Sequence, residues 1–230
     1  LIELNKNMNF ENAPKLGIGI YTASEIAQIL RLSYGKVYTW MHKYWDGKLG
    51  AEYETKYSWQ MEGTRAVSFH TLIEFYVMMR FSESGVKPKQ VLQAHSDLSK
   101  LFKTPFPFAK KEVLDSISTD GKNIYFDIEG VSMTLNGTKQ FNLDIIKLFF
   151  INLDFGADDL ASRYWPLGKH KTIVVDPQRK FGSPVFEDQN IYPETFYGMY
   201  KAGEAIDFIA HLYEVPKQMV EDAIEYCEAA

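Results

Sequence analysis

The apolar skeleton of residues 26–41 recurs 183 positions later in the same chain. Ile26, Ala27, Ile29, Leu32, Val37 and Met41 fall on Ile209, Ala210, Leu212, Val215, Val220 and Ile224; Trp40 falls on Ala223 and Ser33 on Pro216. Two short helices joined by a tight turn need such a skeleton. A small residue lets them cross closely, and apolar residues on both sides of the turn lock their angle, as in a helix-turn-helix. The outward positions diverge. The first copy carries Lys36, Tyr38, Thr39, His42 and Lys43, with no acid from Ser33 to Trp45. The second carries Lys217 but also Glu221, Asp222, Glu225 and Glu228. Four carboxylates facing a phosphate-lined groove are strongly unfavourable. The first copy is therefore assigned to DNA and the second to a protein partner.

Charge along the chain follows the same division. Residues 1–110 hold 14 Lys/Arg against 10 Asp/Glu, whereas residues 111–230 hold 11 against 20, giving the overall −5. A net +4 gives weak non-specific affinity for DNA, so useful binding calls for a homodimer. The single cysteine, Cys227, excludes an intrachain disulfide and a thiolate zinc site, and suits a reducing, cytoplasmic setting. The five histidines form neither an HxxxH nor an HExxH pair. No apolar run approaches the ~20 residues of a membrane span, and no signal peptide is expected. Gly17-Ile-Gly19 lacks the third glycine of a phosphate loop, and no carboxylate stands with a histidine at a catalytic spacing. Neither enzyme activity nor a cofactor is expected.

Thr22, with Glu25 three residues on, has the spacing of a capping box for a first helix. Ser33 caps a second helix, which Gly47 and Gly50 end; residues 51–67 read as a hairpin or wing. Ser68–Ser84 is apolar almost all round and needs cover on more than one side, in the domain core and in a homodimer seam together. A further helix from Pro88 carries Val91, Leu92, Leu98 and Leu101. Residues 124–128 and 131–135 flank a Glu129-Gly130 turn. Leu143–Leu153 reads as a helix, and 173–175 and 181–186 as brief strands. Helices over 193–201, 205–213 and 216–228 close the chain.

A recognition helix enters the major groove N-terminal end first, which places Ser33, Tyr34 and Lys36 nearest DNA. Tyr38, Thr39 and Lys43 face base edges or phosphates, and Thr22, Lys48, Lys56 and Arg65 are candidate backbone contacts. The C-terminal part is crowded with aromatics. Of these, Phe186, Tyr192, Phe196 and Tyr200 are expected to meet the protein partner, together with Glu221 and Asp222.

Tyr21-Thr-Ala-Ser-Glu-Ile-Ala-Gln-Ile-Leu, followed by Ser33 and Val37, resembles the opening of MerR-like winged helix-turn-helix domains. Val67-Ser-Phe-His-Thr-Leu-Ile-Glu-Phe-Tyr-Val and Ser84-Gly-Val extend the match. In the tail, Asp176-Pro, Phe181-Gly-Ser-Pro-Val, Ile191-Tyr-Pro, Ala202-Gly-Glu and residues 220–226 resemble a small bacterial domain of unknown function. That domain is associated with VapB-type antitoxins, the partners of PIN-like ribonuclease toxins. The sequence departs from both patterns. Gly35 stands where MerR-like domains usually place a basic residue, and Asp188-Gln-Asn190 stands where the tail family has Gly-Thr-Arg.

The resemblance implies a two-domain antitoxin that binds operator DNA and neutralises a PIN-like toxin. The alternative is a MerR-like effector-responsive regulator with an aromatic small-molecule pocket in the middle segment. The expected fold is mainly α (α+β). A winged helix-turn-helix domain spans 17–103, a connecting α/β segment with a hairpin 104–171, and a small three-helix domain 172–230.

Overall fold

A computed structural model describes residues 15–52, 57–61, 63–120, 123–128, 131–137 and 143–229. The fold is mixed α+β. Strand β1 (Tyr21–Thr22) leads directly into helix α1 (Ala23–Leu30). Thr22 and Glu25 close the expected capping box: the Thr22 N–H and hydroxyl both donate to Glu25 Oε2 at 2.7 Å. The helix stops because Arg31 turns left-handed (φ 54°, ψ 46°), after which Leu32 N–H donates back to the Ala27 carbonyl. Ser33 stands at the N-cap of α2 (Tyr34–Thr39), but its side chain makes no capping bond.

Helix α2 does not end at Gly47. It runs into a π-helical stretch, Trp40–Leu49, and closes with α3 (Gly50–Glu52). A Cβ on Gly47 would lie 3.1 Å from the His42 carbonyl, so this glycine lets the wide turn close up rather than terminating it. The wide turn directs Trp45 fully into the core, beside Trp40, Phe75 and His95.

Strands β2 (Ser58–Met61) and β3 (Thr64–Val67) form the expected hairpin, and β1 adds to it in the order β1-β3-β2. Lys56 lies outside the described residues. Helix α4 (Phe69–Glu83), capped by Ser68, is buried nearly all round. Its cover comes from within the chain. Helix α5 (Pro88–Phe102) lies against it, Phe108 and Phe126 meet Phe81 edge-on, and Phe149 stacks on Tyr76 at 3.6 Å. This corrects the expectation that α4 also supplies a homodimer seam. Leu101, on α5, faces solvent. Glu74 and His95 meet side by side, both fully buried. Glu74 Oε1 also accepts the Phe108 N–H at 2.7 Å, which ties α4 and α5 to a 3₁₀ turn at Pro107–Ala109.

Helix α6 (Lys111–Asp115) precedes a three-stranded antiparallel sheet of β4 (Ile117–Thr119), β5 (Asn123–Ile128) and β6 (Val131–Asn136). Ile128 pairs with Val131; the Glu129-Gly130 turn between them lies outside the described residues. Helix α7 (Leu143–Ile151) ends two residues earlier than expected, because Leu153 opens strand β7 (Leu153–Phe155). Strands β8 (Ala161–Tyr164), β9 (Ile173–Val175) and β10 (Pro184–Phe186) complete a third antiparallel sheet in the order β10-β9-β8-β7. This sheet pairs strands from both sides of residue 171.

Phe181 is not in a strand. It lies in a 3₁₀ turn, Lys180–Gly182, in which all three residues have positive φ. Arg179 holds the adjoining loop by donating to the carbonyls of Phe186, Glu187 and Gln189 and to Asn190 Oδ1, at 2.7–3.0 Å. Helices α8 (Pro193–Lys201), α9 (Ile206–Tyr213) and α10 (Lys217–Glu228) follow. They enclose a separate core of Phe186, Phe196, Ile209, Val220, Ala223 and Tyr226.

The repeat seen in the sequence is present in the backbone. Glu214, 183 residues after Arg31, has φ 54° and ψ 41°. Val215 N–H donates to Ala210 O at 3.0 Å, as Leu32 N–H donates to Ala27 O at 2.9 Å.

Candidate nucleic-acid and partner surfaces

The N-terminal end of α1, the outer face of α2 and the β2–β3 hairpin border a cleft of about 350 Å³. Four sequence-predicted residues meet there: Thr22, Tyr34, Tyr38 and Arg65. Gln60, Thr64 and His42 join them, and no carboxylate lines the cleft among the described residues. Tyr34, Tyr38 and His42 form an aromatic stripe along one helical face. Tyr38 stacks on His42 at 4.0 Å, and His42 Nδ1 contacts the Tyr38 carbonyl at 2.9 Å. The i, i+4, i+8 spacing was the available signal for His42, which the sequence reading left out of the site. Gln60 and Thr64 carried no signal, because only the hairpin register brings them to the cleft.

The cations are placed differently. Arg65 pairs with the buried carboxylate of Asp46 and donates to Ser58 Oγ at 3.1 Å, both through Nη1. Lys36 is exposed but leans toward Glu83 at 3.6 Å. Lys43 and Lys48 are exposed, both over the ring of Tyr44 at about 5.5 Å. Ser33 and Thr39 are exposed as well, with the Thr39 hydroxyl donating back to Gly35 O at 2.8 Å.

The predicted partner residues separate into two groups. Tyr192, Tyr200 and Glu221 are exposed. Phe186 and Phe196 are fully buried and stack on each other at 5.0 Å, so they belong to the tail's own core and present no anchor to a partner. Asp222 is fully buried too. Its Oδ2 accepts the N–H and hydroxyl of Thr172 (2.9 and 2.8 Å), and its Oδ1 accepts from Lys171 and Gln218 (3.0 and 2.8 Å). Burial alone pushes this carboxyl up, but those donors outweigh it and hold it below the ordinary aspartate range. Asp222 thus fastens α10 to the start of β9. Phe208 and Leu212, one turn apart on α9, are 48% and 54% exposed; Leu212 therefore leaves the expected apolar skeleton, although its counterpart Ile29 is buried.

Residues 173–227 match a family described as "Protein of unknown function (DUF433)". The chain is also similar to a Mycobacterium tuberculosis protein named "Putative antitoxin VapB45". The two are 24% identical over 172 residues, 68% of this chain and 70% of the relative. In fold, the chain is similar to the crystal structure of Rv2018 from Mycobacterium tuberculosis, with a TM-score of 0.63 and 19% identity. That likeness covers 92% of this chain and all of the other. The family match begins at the first residue of β9 and takes in the second helical corner, whereas the relative's match is too long to be confined to it. Among the described residues, no group of His, Cys, Asp or Glu is placed to hold a metal ion, and no helix is long and apolar enough to cross a membrane.

Proposed function

We propose that this chain is an antitoxin of a toxin–antitoxin pair, with a DNA-binding winged helix-turn-helix over residues 17–103 and a toxin-binding tail over 172–230. One observation carries the reading: the same bihelical corner occurs twice with opposite dressing. Among the described residues, the copy at Arg31 borders a cleft with no acid in its lining, whereas the helix after Glu214 exposes Glu221, Glu225 and Glu228. Helix α2 is the recognition helix, with Tyr34, Tyr38, His42 and Gln60 offering hydrogen bonds to base edges. Lys43 and Lys48, both over the Tyr44 ring, meet phosphates beside that face. With a net charge of only +4 over residues 1–110, two copies on one operator supply the affinity.

The tail's partner is a PIN-like ribonuclease, recognised by the acidic face of α10 and by Phe208 and Leu212. The antitoxin-named relative supports this half of the reading. The test is co-expression with the adjacent reading frame, followed by a mobility-shift assay on the upstream DNA. The expected result is a nuclease–antitoxin complex that shifts this DNA, with affinity falling steeply as salt rises. A chain that shifts no DNA and retains no partner refutes the proposal.

A further inference from the structure

A second cleft lies on the other side of α1, between that helix and the tail. Its volume is about 520 Å³, within the range of small-molecule sites. The chemistry of its wall is the reverse of the first cleft's. Glu25 and Glu194 supply two carboxylates, and no Lys, Arg or His lines it among the described residues. Tyr192 adds exposed ring surface, Tyr21 and Tyr226 back the wall, and Ile29 adds an apolar patch.

Tyr21 and Tyr226 are almost completely buried, and their hydroxyls have no hydrogen-bond partner among the described residues. An orphaned buried hydroxyl is costly in a wall that serves only for packing. Burial pushes both phenols up. Asp176 and Glu25 push Tyr21 further in the same direction, as Glu194 does Tyr226. The two hydroxyls therefore stay protonated close to the carboxylates that line the cleft. Tyr192 already accepts a cation on its ring, from Lys180 at 5.7 Å.

We infer that this cleft is a binding site for a small organic ammonium ion, with Glu25 and Glu194 as counter-charges and the exposed Tyr192 ring as a wall. Carboxylates facing a cleft free of lining bases select positive charge, and ring faces favour an alkylated cation over a hydrated metal ion. Glu25 gives the site reach, because the same carboxylate holds Thr22 at the edge of the first cleft.

The experiment is calorimetric titration of the full chain with choline and with n-butylammonium. Their neutral counterparts, 3,3-dimethylbutan-1-ol and butan-1-ol, are titrated alongside. The expected result is millimolar or tighter binding of an ammonium and none of its neutral partner. Glu25→Gln and Glu194→Gln should each weaken binding about threefold or more, and the pair about tenfold. Glutamine keeps the capping-box geometry, so Glu25→Gln is expected to fold. Thr195→Arg, at an exposed lining position, should abolish binding with the melting temperature unchanged. The inference is overturned if neither ammonium binds at about 10 mM, if the neutral compounds bind equally well, or if the double variant binds as the parent does.

Discussion

Arg65, on the hairpin, reaches across to the buried carboxylate of Asp46 on the π-helical stretch, and Ser58 donates to that carboxylate from the facing strand. This ion pair ties the hairpin to the helix it flanks. Replacing Asp46 with Ala leaves Arg65 partly buried without its counter-ion. The expected loss is about 2–4 kcal/mol of unfolding free energy, measured by urea denaturation. A loss below about 0.5 kcal/mol would mean that the pair is only a surface contact.

Lys36 and Lys43 stand on the same helix but differ in availability, since Lys36 leans to Glu83. Lys43→Ala should therefore lower the salt-dependence slope of DNA binding by about one, whereas Lys36→Ala alone changes it less. Glu83→Gln releases Lys36 and should tighten binding. Mobility shifts at several salt concentrations decide this; equal slopes for both lysine variants would contradict the assignment.

The tail separates docking from packing. Phe208→Asp with Leu212→Asp should abolish toxin co-purification while the melting temperature moves little, because both side chains are exposed. Phe196→Ala should cost about 3–5 kcal/mol of stability, because the same side chain type is fully buried there. If the double aspartate variant still retains its partner, the contact lies elsewhere on the tail.

Asp222 gives a pH signature. Its folded pKa is depressed, so its stabilising contribution is present above the unfolded value of about 3.9 and disappears as pH falls through the lower folded value. Asp222→Asn removes this contribution. The variant should be less stable than the parent at neutral pH, and the gap should narrow as pH falls below about 4. Thermal melts across acid pH measure it; a constant gap would refute the linkage.

What the sequence made legible was local chemistry. The capping box at Thr22, the all-apolar helix after Ser68 and the three tail helices each follow from side-chain period and from capping or helix-breaking residues acting within a few positions. The echo was legible for the same reason, since its turns are set by neighbours. The π-helical stretch was not: its wide turn depends on Trp45 finding a pocket made by Phe75 and His95, residues far along the chain. The three-residue strands β4 and β7 and the four-residue β8 carry too few positions for a period, and only pairing defines them. Phe186 and Phe196 misled as partner anchors because an aromatic reads alike in a core and on an interface. Their burial comes from the fold of the tail around them.

The four-stranded sheet that joins β7 and β8 to β9 and β10 limits how this protein can be dissected. A fragment ending before residue 172 would carry β8 with one edge bare, a template for sticking to other chains. Separating the two proposed surfaces by gene truncation would thus yield aggregates whose silence says nothing about either, and point substitutions on an intact polypeptide are the sound genetic route.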